Sequence, residues 1–240
     1  MLTKIVGNKP KLMILNKADL ADPVRTKEWR QFYEEQGITT LAINSKEQST
    51  VKKVTDVAKS LMADKLAKLR ERGIQKGTLR TMIIGIPNAG KSTLMNRLAG
   101  KKIAVTGNKP GVTKGQQWLK SNKELEILDT PGILWPKFED ELVGLKLALT
   151  GAIKDQLLPM DEVTIFGLNY FKQYYPERLQ ERFKAINLED EAPEMIMSLT
   201  QKLGFRDDYD RFYNLFVKEV RDGKLGRYTL DVVGEADGDD

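Results

Sequence analysis

Residues 85–92 read Gly-Ile-Pro-Asn-Ala-Gly-Lys-Ser, which matches the phosphate-binding loop pattern in full. The apolar run before this segment predicts a strand, and the residues after it predict a helix. The loop's backbone N–H groups and the helix N-terminus would bind phosphate, whereas a chance glycine-rich turn would need no such flanking elements. We therefore expect Lys91 to reach the β- and γ-phosphates and Ser92 to ligate Mg²⁺. The residues expected to line the phosphate site are Pro87, Asn88, Ala89, Gly90, Lys91, Ser92 and Thr93.

A second motif, Asp-Thr-Pro-Gly at residues 129–132, follows another predicted strand about forty residues after the loop. Asp129 at the end of a strand can hold Mg²⁺ directly or through water, and Gly132 can bring its N–H close to a γ-phosphate. Thr113 lies between the two motifs and can offer its hydroxyl to Mg²⁺ and its N–H to the phosphate. On its own the tetrapeptide would more often be an ordinary turn, so its position after the loop is what favours the switch interpretation.

The tetrapeptide Asn16-Lys17-Ala18-Asp19 follows the short apolar run of residues 11–15 and predicts the base. A carboxylate accepts two hydrogen bonds, and guanine offers N1–H and its 2-amino group side by side. Adenine has no such pair of donors and would leave Asp19 desolvated, at a cost of roughly 2–5 kcal/mol. Lys17 can cover the base, and Asn16 can tie this loop to the phosphate loop. Asn44 and Ser45 end the next predicted strand and can offer an N–H to the guanine oxygen.

Strands are predicted at 11–16, 38–43, 80–86, 117–120 and 125–129, with helices at 24–36, 50–72 and around 94–98. This alternation indicates an α/β fold with a mostly parallel sheet flanked by helices. Residues 139–222 predict four or five helices. We expect a nucleotide-binding domain over 1–140, a smaller all-helical C-terminal domain over 141–233 and an acidic tail over 234–240.

In Ras-like GTPases the base-reading motifs follow the phosphate loop, whereas here they precede it. The chain therefore resembles the circularly permuted P-loop GTPases, and residues 129–137 (Asp-Thr-Pro-Gly-Ile-Leu-Trp-Pro-Lys) together with the helical region resemble the ribosome biogenesis GTPase A family. The resemblance implies GTP and GDP as ligands, Mg²⁺ as cofactor, and a cytoplasmic GTPase. It also implies assembly of the large (50S) ribosomal subunit, with rRNA and ribosomal proteins as partners, no DNA or membrane, and a monomer away from the ribosome.

The chain also departs from related GTPases in two ways. Family members normally have a further strand and helices ahead of the position of residue 1, including a Pro-Gly-His segment whose histidine is a proposed catalytic residue. That strand lies between the phosphate-loop strand and the Asn-Lys-x-Asp strand, so we expect a gap in the sheet there, and reduced activity of the chain by itself. Ile133 replaces the water-orienting glutamine of many GTPases. Asn88 resembles an asparagine that ligates K⁺ in related enzymes, or it braces the loop.

The composition excludes several classes of chemistry. The chain has 240 residues with no cysteine and no histidine, which removes disulfides, thiolate metal sites and the commonest general base. Residues 1–150 carry 27 basic and 15 acidic side chains, a net charge of +12, whereas residues 151–240 carry 12 and 19, a net charge of −7. The basic stretch 52–80 would suit RNA, or it is a solvated helix face. Lys218, Arg221, Lys224 and Arg227 are further candidate RNA contacts.

Two alternative functions stay open from the sequence. A nucleotide-dependent scaffold that hydrolyses nothing is favoured by the absence of histidine and of the glutamine. A P-loop ATPase or kinase is disfavoured by the base-reading tetrapeptide.

Overall fold

The computed structural model describes residues 7, 9–73, 78–102, 117–120, 125–130, 140–153 and 159–234, leaving aside the side chains of residues 50, 117, 119, 120 and 129. The strands are β1 (Leu12–Leu15), β2 (Thr39–Ala42), β3 (Leu79–Met82), β4 (Gln117–Lys120) and β5 (Leu125–Asp129). The helices of the first half are α1 (Pro23–Glu35), α2 (Gln48–Leu61), α3 (Ala63–Glu71) and α4 (Lys91–Ala99). The helices of the second half are α5 (Glu141–Leu149), α6 (Met160–Tyr174), α7 (Pro176–Arg182), α8 (Ala192–Lys202) and α9 (Tyr209–Arg221).

The described strands form two sheets. β1 pairs with β2 in parallel, with Leu12 opposite Thr39. β5 lies between β3, which is parallel to it, and β4, which is antiparallel. The strand and helix types predicted from the sequence are confirmed, and the division falls between β1 and β3, where a gap in the sheet was expected.

The prediction of a single helix over residues 50–72 is wrong, because this stretch forms two helices that meet at Met62. This residue leaves helical geometry, with φ −111° and ψ 12°. Glycine and proline, the usual causes of a break, are absent from this stretch of sequence. The break lets α2 bury Val51 and Val54 while Met62 and Leu66 turn onto the same apolar core. The fold thus gains apolar burial at the cost of continuous backbone hydrogen bonding.

The two halves of the chain have separate apolar cores. The first core lies between the sheets, α2 and α4, and its most buried members include Ile43, Met95 and Ile127. Leu79, Leu125 and Ile127 lie on the inner face of the second sheet, as the twofold alternation of a strand requires. Because β1, β3 and β5 all contribute side chains to this core, the core holds the three strands together. The loops that follow β1 and β3 then lie within hydrogen-bonding distance of each other.

The second core belongs to α5–α9. The helix α9 buries Phe212, Phe216 and Val220 at helical spacing, against α6 and α8. A Cβ at Gly167 in α6 would come within 2.7 Å of Phe216 Cε1, so only glycine permits this close approach of α6 and α9. The prediction of four or five helices in this half is confirmed, since its described residues, 140–153 and 159–234, form five.

Among the described residues, none of the helices combines the length and the apolar character that crossing a bilayer requires.

Candidate functional site

Asn16, the residue after β1, joins three loops. Its Nδ2 donates to the carbonyl of Ala89 in the phosphate loop at 2.8 Å, and its Oδ1 accepts from the N–H of Ser45 at 3.1 Å. Ser45 follows β2 and is buried. The prediction that Asn16 ties its loop to the phosphate loop is confirmed. The side chain therefore places the ends of β1, β2 and β3 around one point, as expected for ligand loops at the C-terminal edge of a parallel sheet.

These loops open onto a cavity of about 1200 Å³. Its walls include nearly all the residues that the sequence assigned to nucleotide binding. Those residues are Asn16, Lys17, Asp19, Asn44, Ser45, Pro87, Asn88, Gly90, Lys91, Ser92 and Thr93. Ala89 belongs to the same loop and contributes the carbonyl that binds Asn16. Two motifs thus face one space, although their contacting residues Asn16 and Ala89 are 73 residues apart in sequence.

The phosphate side of the cavity has the geometry of an anion site. Gly90 precedes α4 with φ +90°, and a Cβ there would overlap the amide of Asn16. Ser92 lies in the first turn of α4, where unpaired N–H groups and the helix dipole favour an anion. Lys91 Nζ donates to the carbonyls of Gly85 and Ile86 at 3.0 and 2.9 Å. A phosphate would compete with these carbonyls for the ammonium group.

The other side of the cavity carries the tetrapeptide of residues 16–19. Lys17 has φ +58°, so its backbone turns sharply between β1 and Asp19. Lys46 pairs with Asp19 at 3.8 Å. Burial lowers the pKa of the Lys17 ammonium, as do the nearby charges of Lys46 and Arg221, whereas Asp19 raises it. An anionic ligand in the cavity would offset this clustering of positive charge.

The helical half of the chain forms the remaining wall. Arg221 donates from Nε to the carbonyl of Leu149 at 3.1 Å and from Nη2 to that of Ala148 at 2.7 Å, which satisfies carbonyls at the end of α5. Asn88 of the phosphate loop donates its amide to the carbonyl of Gly151 at 3.4 Å. The phosphate loop therefore touches the helical half directly.

A segment that follows α9 also reaches the cavity. We call residues 226–231 the C-terminal segment. Arg227 donates to the carbonyls of Ala18 and Ala21, both at 2.8 Å. The N–H of Tyr228 donates to the carbonyl of Leu20 at 2.9 Å. The loop that carries Asp19 is thus held by the helical half of the molecule.

Comparison with known proteins identifies the family of the chain. Residues 80–200 match a family model described as 50S ribosome-binding GTPase. A protein of Priestia megaterium named Ribosome biogenesis GTPase A is 47% identical over 99% of this chain and 84% of its own length. Its namesake from Bacillus pumilus is 44% identical, over 96% of this chain and 84% of that protein. The chain belongs to the ribosome biogenesis GTPase A family.

Solved structures agree with this membership. A GDP-bound YlqF structure superposes with a TM-score of 0.60 and 25% identity, covering 92% of this chain and 83% of that one. The GNP-bound YlqF from T. maritima gives a TM-score of 0.58 and 26% identity, over 92% of this chain and 81% of that one. The family assignment drawn from motif order and from residues 129–137 is therefore confirmed.

Four residues that the family pattern assigns to the site lie partly or wholly outside the described residues. Asp129 ends β5, the strand next to β3, and its backbone is described but its side chain is not. Thr113, Gly132 and Ile133 lie outside the described residues. Thr130 is buried and donates its hydroxyl to the carbonyl of Ile83 at 2.6 Å, which joins the start of the switch motif to the phosphate-loop strand.

Two arginines of the C-terminal half have structural partners that the sequence did not indicate. Arg221 and Arg227 were candidate RNA contacts, which stays a prediction, and both guanidinium groups also donate to backbone carbonyls beside the cavity. The only signal in the sequence was their positive charge, which cannot distinguish an exposed contact from an anchor between elements. The basic stretch of the first half behaves as expected, since most of its charged side chains are exposed. The exposed members on α2, on α3 and just after it are Lys52, Lys53, Lys65, Lys68, Arg70 and Arg72.

Proposed function

We propose that the chain is a GTP-hydrolysing assembly factor for the large (50S) ribosomal subunit, and that its nucleotide state switches its association with the precursor subunit. The nucleotide part rests on two hydrogen bonds of Asn16, which donates to the carbonyl of Ala89 and accepts from the N–H of Ser45. They join a base-reading loop to a phosphate loop at one cavity. The family model and the names of the relatives support the ribosomal part.

Within the cavity, each motif takes one part of the nucleotide. The Asp19 carboxylate accepts from N1–H and the 2-amino group of guanine, and Lys17 covers the base. Lys91 and the N–H groups at the start of α4 bind the β- and γ-phosphates. Thr113 and Gly132 contact the γ-phosphate from the switch segments. A GNP-bound relative of the same fold supports this assignment.

Mg²⁺ fits the donor set at the phosphate end. Ser92 lies in the first turn of α4 and carries a hydroxyl, and Asp129 ends the strand that pairs with β3. Hydroxyl and carboxylate oxygens are the hard donors that Mg²⁺ prefers. Ser92, Thr113 and Asp129 would hold the ion, which would neutralise charge on the phosphates. Asn88 would contribute to a K⁺ site at the same loop. The hydrogen bond from its side-chain amide to the carbonyl of Gly151 supports a second role for Asn88, which is to brace the loop.

The division of labour follows the two apolar cores. We assign nucleotide binding to residues 1–140, a helical domain to 141–233 and an acidic tail to 234–240. The separate cores of the two halves support this boundary. Because Asn88 of the phosphate loop donates to the carbonyl of Gly151 in the helical half, a change in nucleotide state has a path into that half.

The ribosome contact is assigned to the exposed basic side chains of α2 and α3. The four residues near the end of this stretch, Lys65, Lys68, Arg70 and Arg72, form what we call the α3 basic surface. Their side chains are exposed, and rRNA phosphates would pair with them and release counterions. The protein acts in the cytoplasm, where precursors of the large subunit are found, and it is a monomer when it is not bound to the ribosome.

Co-sedimentation tests the proposal. Purified protein is mixed with large ribosomal subunits in the presence of GDP, GTP or a non-hydrolysable GTP analogue, and single-turnover hydrolysis is followed with and without subunits. We expect subunit binding to depend on the nucleotide, and subunits to accelerate hydrolysis. Nucleotide-dependent binding with no hydrolysis in either condition would instead support the non-hydrolysing scaffold. Binding that ignores the nucleotide would contradict the switch.

A further inference from the structure

The loop that reads the base is fixed from two sides. Toward the sheet, the N–H of Ala18 donates to the carbonyl of Ile43 at 3.0 Å. Within the loop, the N–H groups of Leu20 and Ala21 both donate to the carbonyl of Lys17, at 2.8 and 3.2 Å. These bonds use the N–H groups of residues 18, 20 and 21, and the carbonyls of the same three residues are satisfied by other partners.

Those carbonyls are satisfied by the C-terminal segment. Arg227 binds the carbonyls of Ala18 and Ala21 with two different guanidinium nitrogens, and the N–H of Tyr228 binds that of Leu20. One residue further on, Asp22 donates its N–H to the hydroxyl of Thr229 at 3.1 Å. Four hydrogen bonds therefore span residues 18–22, the stretch whose second residue is Asp19.

The C-terminal segment is itself anchored in the helical half. Tyr170 of α6 donates its hydroxyl to the carbonyl of Thr229 at 2.6 Å, and the N–H of Thr229 donates to the hydroxyl of Tyr175 at 3.2 Å. Leu230 is buried in the helical core. The base-reading loop is thus held in position by the helical core as well as by the sheet.

From this geometry we infer that Arg227 is a positioning residue for guanine recognition, through which the helical C-terminal half sets the affinity and selectivity of the cavity for the base. The inference rests on the proposed function, because it assumes that Asp19 reads guanine. Arg227 reaches no base itself. Its planar guanidinium bridges two carbonyls three residues apart, and so fixes the direction of the Asp19 carboxylate between them.

Selectivity between guanine and hypoxanthine reports on this role. Inosine diphosphate lacks the 2-amino group and can make only one of the two bonds to Asp19, so the ratio of GDP to IDP affinity measures how well the carboxylate is aimed. A loosened loop must be ordered again when the base binds, and guanine, which needs both bonds, loses most. Overall destabilisation would leave this ratio unchanged in the molecules that remain folded.

The experiment measures GDP and IDP affinity by titration calorimetry for the parent, Arg227→Ala, Arg227→Lys and Thr229→Val. Lys184→Ala, an exposed basic residue of the helical half, is the control. We expect Arg227→Ala to weaken GDP binding by about tenfold and IDP binding much less. Arg227→Lys should recover only part of the loss, because an ammonium cannot bridge both carbonyls in one plane. Thr229→Val should shift the ratio in the same direction but less, and Lys184→Ala should match the parent.

Two results would overturn the inference alone. One is a parent that prefers GDP while Arg227→Ala keeps both the affinity and the ratio. The other is an equal loss for both nucleotides in Arg227→Ala. A parent with no preference for GDP over IDP would overturn the guanine assignment in the proposed function, and this inference with it.

Discussion

Replacing Asn16 with alanine tests how the three ligand loops are held together. The change removes one hydrogen bond to the carbonyl of Ala89 and one from the N–H of Ser45, of 2.8 and 3.1 Å. A typical intramolecular hydrogen bond contributes about 1 kcal/mol, and an unpaired buried partner adds to the loss. Ala89 lies in a loop that borders the open cavity, so water can satisfy its carbonyl, whereas Ser45 is buried. We therefore expect a total cost of about 2 kcal/mol.

This cost should appear in ligand binding as well as in stability. The phosphate loop and the loop after β2 would have to be brought back together when the nucleotide binds, so GDP affinity should fall by up to about thirtyfold. The melting temperature of the free protein should fall by several degrees. Titration calorimetry with GDP and a thermal melt followed by circular dichroism measure the two effects.

A matched control is Asn187→Ala in the helical half. Asn187 also makes two local side-chain hydrogen bonds, to Asp190 and from the N–H of Glu189, but it lies away from the cavity. It should leave GDP affinity unchanged. If Asn16→Ala bound GDP within twofold of the parent, the reasoning that these two bonds organise the site would be refuted.

The other predictions concern single parts of the nucleotide and its partners. Asp19→Asn should weaken GTP binding and favour xanthosine triphosphate, because the exchanged donor and acceptor match again; unchanged GTP affinity in a competition assay would contradict the guanine assignment. Lys91→Ala should abolish triphosphate binding without unfolding the chain, as measured by fluorescent-nucleotide binding beside circular dichroism. GTP hydrolysis should be faster in K⁺ than in Na⁺, and Asn88→Ala should erase the difference; equal parent rates would remove Asn88 from an ion site. Reversing three charges of the α3 basic surface should weaken binding to large subunits and flatten its salt dependence at unchanged GTP affinity; parallel slopes with equal affinity would make this surface a solvated face.

The sequence predicted those parts of the fold that local patterns determine. Strands β4 and β5 lie where they were predicted, and the phosphate loop precedes a helix that begins at Lys91. Apolar alternation and glycine placement carry this information within a few residues. The Asn-Lys-x-Asp motif also predicted that Asn16 would tie its loop to the phosphate loop, because the loops at one edge of a sheet form one site.

What the sequence could not predict depends on contacts between distant elements. The break at Met62 arises from packing of α2 and α3 on a shared core, and the helical periodicity continues through it unchanged. The roles of Arg221 and Arg227 depend on carbonyls more than seventy and two hundred residues away. A single basic residue carries no local signal of such a partner.

The helical half contacts the cavity at two ends, and this has consequences for switching. At the phosphate end, Gly151 accepts from Asn88 of the phosphate loop, and the same chain continues from Asp129 toward α5. At the base end, Arg227 holds the loop of Asp19. Guanine is common to GTP and GDP, so the contacts at the base end lie beside a part of the ligand that does not change. The γ-phosphate differs between them, and a ligand shifts a conformation only through contacts that differ between states. If nucleotide state moves the helical half, as proposed above, the contact between Asn88 and Gly151 is therefore the one that we expect to change.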